Sequence, residues 1–130
     1  MKTIKVVAAI IKRNNQILIA KRSSGDYAGL WEFPGGKIEN NETSKNALIR
    51  EIKEELEIDI NIYEYLTCVE YDYPKFHLSM ECFICSLNNN TIQLHDHSAI
   101  KWIDINDDIK NINWVPADVL VVKAIQKYYL

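Results

Sequence analysis

Glu54 and Glu55 follow Glu51 by three and four residues, in a stretch over 32–58 that reads EFPGGKIENNETSKNALIREIKEELEI. Leu48, Ile52 and Leu56, with Ala47 and Ile49 beside them, recur at helical spacing and form an apolar stripe. The three glutamates then share the opposite side as neighbours, and each raises the cost of ionising the others. On an open surface such repulsion is ~0.2–0.5 kcal/mol per pair, whereas two charges ~4 Å apart near a protein wall interact by about 4 kcal/mol. A solvated acidic face needs no partner; three carboxylates converging in a cleft need a cation.

The loop before this helix favours the cleft. Pro34, Gly35 and Gly36 permit a sharp turn and a close backbone approach that side chains would block, so main-chain groups can line a ligand site. Carbonyl and carboxylate oxygens together are the ligand set of hard divalent ions, especially Mg²⁺, which keeps waters and shares them with substrate phosphates.

The elements that must position these groups follow from the rest of the chain. Residues 4–11 read as a strand, Asn14-Asn15 as a turn, and 16–21 as a second strand. Gly25, Asp26 and Gly29 mark a loop before apolar residues 30–33. Beyond the acidic helix, 58–73 and 76–87 form a long hairpin about a turn at 72–75, and 88–90 is a further turn. Residues 99–105 are another strand, Asp107-Asp108 begins a polar loop or short helix, and 117–129 closes the chain as an apolar helix with Pro116 at its first turn. Strands paired by hairpins, with one internal and one terminal helix, give an α+β chain with a mixed sheet held between helices.

With 130 residues, 48% of them hydrophobic and 25% charged, a single domain over 1–130 with a sizeable core is expected. The net charge of −3 argues against gripping a nucleic-acid polymer by positive potential. The N-terminal apolar run is too short to span a bilayer and lacks a cleavage site, so no membrane partner and a cytoplasmic location are expected. Cys68, Cys82 and Cys85 are expected to be reduced and mostly core. Cys82 and Cys85 fall on opposite faces of a strand, which disfavours a zinc pair.

Several other residues have two readings each. Arg22 is a surface charge flanking a strand, or a guanidinium that holds a phosphate bidentately. His95, Asp96 and His97 are a polar loop or a transition-metal pair. Asp118 is an N-terminal helix residue favoured by the helix dipole, or an ionised acceptor for amine and N–H groups on a nucleobase edge. Phe33 and Tyr27 are core, or stacking surface.

From Gly36 the residues run Gly, five others, Glu42, seven others, Arg50-Glu51-Ile52, Lys53, Glu54-Glu55, Leu56, Glu57, Ile58. This resembles the signature box of the Nudix hydrolases, enzymes that cleave a nucleoside diphosphate linked to another group. One position departs: Glu57 stands where the family usually has a glycine to end the helix in the left-handed conformation. The likeness to the MutT-like and CTP-pyrophosphohydrolase-like branch extends through VVAAII, AGLWEF, HLSMECF, HDHSAIKW and PADVLVV.

The resemblance implies an α/β/α sandwich that hydrolyses a small-molecule nucleoside triphosphate to a monophosphate and pyrophosphate, as a monomer or homodimer. The substrates it points to are 8-oxo-dGTP or cytosine nucleotides. It implies Mg²⁺, with Mn²⁺ as a substitute, on Glu51, Glu54, Glu55, Asp96 and the Gly35 carbonyl. Glu51 is the first choice of base and Asp96, six places before Trp102, the second, with Arg50 orienting the glutamates. Glu39 is an outer-shell group or an exposed turn acid. Arg22 and Lys37 would meet substrate phosphate, and Asp118, Phe33 and Tyr27 the base. The alternatives are another Nudix substrate class, such as ADP-ribose or a dinucleotide polyphosphate, and a non-catalytic nucleotide sensor. A sensor would lack box glutamates, and none of the core ones is missing.

Overall fold

The run VVAAII lies in β1 (Thr3–Arg13), which is buried from Val7 to Ile11 on both faces, as a continuous apolar strand must be. In the computed structural model, which describes residues 1–88, 91–106 and 109–129, the other elements are arranged around this strand. It turns at Asn14, whose φ of 55° is one that asparagine tolerates, into β2 (Gln16–Arg22). β3 (Trp31–Glu32) pairs with β2, and β4 (Gly35–Lys37) pairs antiparallel with β1 through Ala8↔Gly35 and Val7↔Gly36. After α1 (Ser44–Leu56), β5 (Ile60–Tyr73) and β6 (Phe76–Leu87) form the long hairpin expected from their alternation. β6 runs parallel to β1. β7 (His97–Asp104) pairs with the far edge of β2, a 3-10 turn covers Ile109–Asn111, and α2 (Asp118–Tyr128) ends the chain. The sheet order is β3-β2-β1-β6-β5, with β4 on β1 and β7 on β2.

Alternation along the central strands sends successive side chains to two cores. Ala8, Ile10, Ile17, Ile19, Met80 and Cys82 meet Val121, Val122 and Ile125 of α2. Val7, Ala9, Ile11, Leu18, Phe83 and Cys85 meet Ala47, Leu48, Ile52 and Leu56 of α1. The mixed sheet between two helices is the architecture the sequence led us to expect.

α1 starts where the Thr43 hydroxyl accepts the Asn46 amide at 3.1 Å. It stops at Glu57, which takes the left-handed conformation (φ 56°, ψ 38°) that a glycine would have supplied, its N–H bonded to Lys53 O.

Four expectations are corrected. Ile49 is 42% exposed and stands outside the buried stripe of α1. Gly35 and Gly36 form no turn: they are extended in β4, and the positive-φ glycines are Gly25 and Gly29. Cys68 is exposed, although Cys82 and Cys85 are buried on opposite faces as read. β7 begins at His97, two residues before the expected start. The turn at 88–90 and the Asp107-Asp108 segment fall partly or wholly outside the described residues.

Candidate active site

The glycines of β4 are required by proximity. A Cβ on Gly35 would lie 1.9 Å from Val7 O, and one on Gly36 would lie 2.0 Å from Glu51 Oε2. With no side chain on either, α1 settles against β4 and Glu51 lies directly over the bare strand. Arg50 then fixes the acidic face. Its Nε and Nη2 hold both Glu42 oxygens at 2.6 and 2.9 Å, Nη1 holds Glu51 at 2.9 Å and Glu54 at 3.2 Å, and Nη2 also donates to Lys37 O at 3.0 Å. The Arg50 bond, with that of the Glu39 amide, holds Glu42 down at about 2, and its carboxylate partners raise the guanidinium above its ordinary value. Burial pushes Glu51 up against the opposing pull of Arg50.

Glu55 is the α1 glutamate whose charge burial disfavours most. Its Oε2 is buried without a hydrogen-bond partner, and burial pushes the carboxyl up to about 8, with Glu51, Glu32 and Asp96 acting in the same direction and His97 opposing. His97 reaches it from β7, 6% exposed, its Nε2 2.9 Å from Glu32 Oε2 and its Nδ1 4.0 Å from Glu55 Oε2. Burial opposes charge on the imidazole, but the Glu32 carboxylate outweighs it and raises the pKa. Glu32 also accepts Arg22 Nη1 at 3.1 Å.

A cleft of about 440 Å³ opens between these groups and the α2 end of the molecule. Arg22, Lys37, Gly35, Gly36, Glu32 and Glu55 line it together with Tyr27, Phe33, Tyr73, Phe76 and Asp118. Asp118 is 4% exposed and does not cap α2; its Oδ2 accepts the Phe33 amide at 2.9 Å. Burial pushes its pKa up to about 8 against the pull of the Phe33 amide, which at neutral pH favours a protonated acid that both donates and accepts over the ionised, accept-only form. Phe33 is buried and stacked on Trp114 at 4.8 Å, and Tyr27 tilts on Tyr73 at 5.4 Å.

The cleft thus gathers Arg22, Lys37, Gly35, Glu55, Asp118, Phe33 and Tyr27, with Glu51 against Gly36. Glu54, 61% exposed, is turned to Arg50. Asp96 is exposed and offers its backbone carbonyl to the Ser23 hydroxyl. Glu39 is exposed, 3.5 Å from Arg50. His95 pairs with Glu57, so the two histidines diverge. Glu32 was not singled out from sequence, and His97 only as half of a metal pair with His95. Strand alternation would set Ser98 opposite Arg22, but a bulge between Lys21 and Arg22 sets His97 there.

Among the described residues, no three acidic, imidazole or thiolate groups are already gathered at metal-holding distance. The donor set nevertheless fits a hard divalent ion: an unpartnered carboxylate oxygen on Glu55, a second acid one helical turn away at Glu51, and bare glycine backbone beside them.

Comparison with known proteins agrees with this geometry. The family model for the NUDIX domain matches residues 1–127. The chain is 37% identical over 125 residues to the CTP pyrophosphohydrolase of Escherichia coli K12, covering 95% of this chain and 92% of that protein. It is 33% identical over 128 residues to the 8-oxo-dGTP diphosphatase of Buchnera aphidicola subsp. Schizaphis graminum, covering 98% and 96%. The solution structure of a DNA mismatch repair protein MutT, of the Nudix hydrolase family, from methicillin-resistant Staphylococcus aureus 252 superposes with a TM-score of 0.74 at 40% identity over 98% of this chain and 96% of that one. A box of glutamates over bare glycine backbone, on this fold and with these relatives, has one assignment: the chain belongs to the NUDIX domain family of hydrolases.

Proposed function

We propose that the protein is a MutT-like, Mg²⁺-dependent nucleoside triphosphate pyrophosphohydrolase, acting on 8-oxo-dGTP or on cytosine nucleotides such as CTP, dCTP and 5-methyl-dCTP, and that it removes such nucleotides from the cytosolic precursor pool. The observation that carries this is the unpartnered Glu55 oxygen on the wall of a cleft that also holds Arg22 and a proton-bearing Asp118. Glu55 and Glu51, with the Gly35 carbonyl, would hold the ion, and Glu54 and Asp96 are within the same acidic neighbourhood. When bound, a divalent cation neutralises phosphate charge and acidifies a water.

This chain's own residues supply the rest. Arg22 and Lys37 take the phosphate chain. Water oxygen forms a bond to phosphorus, the bond to the pyrophosphate oxygen breaks, and Glu51 takes the water's proton, with Asp96 the second candidate. Arg50 keeps Glu51 oriented through the 2.9 Å bond. Asp118 offers a donor through its proton and an acceptor through its carbonyl oxygen, a pair that complements the N3 and amine edge of cytosine and the O6 and N1–H edge of guanine alike. Tyr27 gives the base a stacking face.

The test is product analysis and kcat/KM for 8-oxo-dGTP, dGTP, CTP, dCTP and 5-methyl-dCTP at fixed Mg²⁺. Release of pyrophosphate and monophosphate is expected, with Glu51→Gln and Glu55→Gln each costing on the order of 10²–10⁴ in turnover. Activity of either variant within a few-fold of the parent would sink the mechanism. A sugar phosphate from ADP-ribose, with triphosphates untouched, would replace the substrate class.

A further inference from the structure

All three buried side-chain atoms without a hydrogen-bond partner among the described residues, Arg22 Nε, Glu55 Oε2 and His97 Nδ1, belong to one cluster. Buried polar atoms are nearly always satisfied, so three together at a cleft mark a place where partners arrive or shift during function. The residues come from four elements. Arg22 on β2 stands beside His97 on β7 through the bulge, Glu32 on β3 pairs with Ala20 two residues back on β2, and Glu55 descends from α1.

We propose that His97 is a positioning residue that, with Glu32, ties Arg22 to Glu55 in one part-buried chain, so that the phosphate-binding and metal-facing halves of the site are set against each other. The chain runs Arg22 Nη1 to Glu32 Oε1 at 3.1 Å, Glu32 Oε2 to His97 Nε2 at 2.9 Å, and His97 Nδ1 to Glu55 Oε2 at 4.0 Å. The first two links are formed. The third is a gap of about one ångström between two unpartnered atoms, and a small shift of the Glu55 side chain closes it. Carboxylates that ligate a metal are in turn hydrogen-bonded, and removing such a bond typically weakens metal binding 10–100-fold; Glu55 Oε2 has the lone pairs to accept from His97 while it faces the ion. With both ring nitrogens protonated, His97 donates Nε2–H to Glu32 and is placed to supply that bond from Nδ1–H, while Glu32 is itself anchored by Arg22. This rests on the reading of Glu55 as a metal ligand.

The two ring nitrogens can be tested separately, because an Asn amide reaches the place of Nδ1 and a Gln amide the place of Nε2. The measurement is Mn²⁺ binding to the purified full chain without nucleotide, by titration calorimetry and by the electron paramagnetic resonance signal of the free ion. KM and kcat for the preferred triphosphate are read in parallel. His97→Gln keeps Glu32 and loses Glu55, so about tenfold or greater loss of Mn²⁺ affinity is expected, with KM rising less. His97→Asn keeps a donor for Glu55 and loses Glu32, so Mn²⁺ affinity within about threefold of the parent and a raised KM are expected. Glu32→Gln should resemble His97→Asn, and it carries the test if a His97 variant does not fold. Parent-like Mn²⁺ affinity in His97→Gln, or equal losses in His97→Gln and His97→Asn that track a fall in Tm, would overturn the proposal. If Glu55→Gln binds Mn²⁺ as the parent does, the metal assignment itself fails, whatever the His97 variants show.

Discussion

Asp118 and Phe33, 85 residues apart, are joined by a 2.9 Å hydrogen bond from the Phe33 amide to Asp118 Oδ2, which fastens the start of α2 to the link between β3 and β4. The acid is completely enclosed, and its pKa of about 8 stands well above its ordinary 3.8. Between those values the native state holds a proton that the unfolded chain has lost. The associated stability is therefore fully present below about pH 4, declines as pH rises, and is gone above about pH 8. Asp118→Asn keeps an acceptor for the Phe33 amide and removes the titration. Between pH 5 and 9 the Tm of the parent should fall by on the order of 10 °C more than that of the variant, as followed by circular dichroism. In the substrate panel the same variant should reorder the base preference, because an amide has a fixed donor and acceptor; an unchanged ranking would leave Asp118 with a purely structural role.

Gly35 and Gly36 are adjacent yet fail differently when substituted. A Cβ on Gly35 strikes the Val7 backbone, which cannot retreat from the centre of the sheet, so Gly35→Ala should cost on the order of 3 kcal/mol or more of stability. A Cβ on Gly36 strikes the Glu51 side chain, which can swing away. Gly36→Ala should therefore cost about 1 kcal/mol or less yet lower kcat on the order of 10²-fold. Denaturant unfolding and steady-state kinetics on the two variants separate the effects.

Arg50 makes its five side-chain hydrogen bonds through a planar fork. Lysine preserves the charge and cannot satisfy Glu42 from two directions. Arg50→Lys should lower kcat by on the order of tenfold or more with little change in KM, since it disturbs the orientation of Glu51 and touches no phosphate.

Glu57 holds a left-handed conformation in which most residues with a Cβ are disfavoured by about 1 kcal/mol. Its 2.6 Å contact with His95 is half exposed on both sides and offsets little of that. Glu57→Gly should raise stability by about 0.5–1 kcal/mol and leave kcat/KM unchanged, with thermal denaturation and kinetics as the measurements.

The strands of the long hairpin could be read from sequence because much of β5 and the first half of β6 have a wet face, so polar and apolar residues alternate there, and 76–87 was bounded as observed although 82–85 is buried on both faces. The glycine pair was half read: the close approach that side chains would block is there, but the sharp turn is not, because these glycines serve by lacking side chains within an extended strand rather than by unusual φ. His97 was hidden by the bulge, which breaks the period of two that sequence reading relies on. The proton on Asp118 was hidden as well, because ionisation depends on enclosure by residues distant in the chain. The acidic helix, by contrast, announced its buried stripe of Leu48, Ile52 and Leu56 within 13 residues, since that stripe is periodic.

β1 contributes to both cores at once, Ala8 and Ile10 to one and Val7, Ala9 and Ile11 to the other. Neither helix can peel away without wetting a strand on which the opposite layer also rests. Amides from Val7 to Ile11 should therefore exchange with deuterium only when the entire molecule opens, and the two layers should melt in one cooperative step.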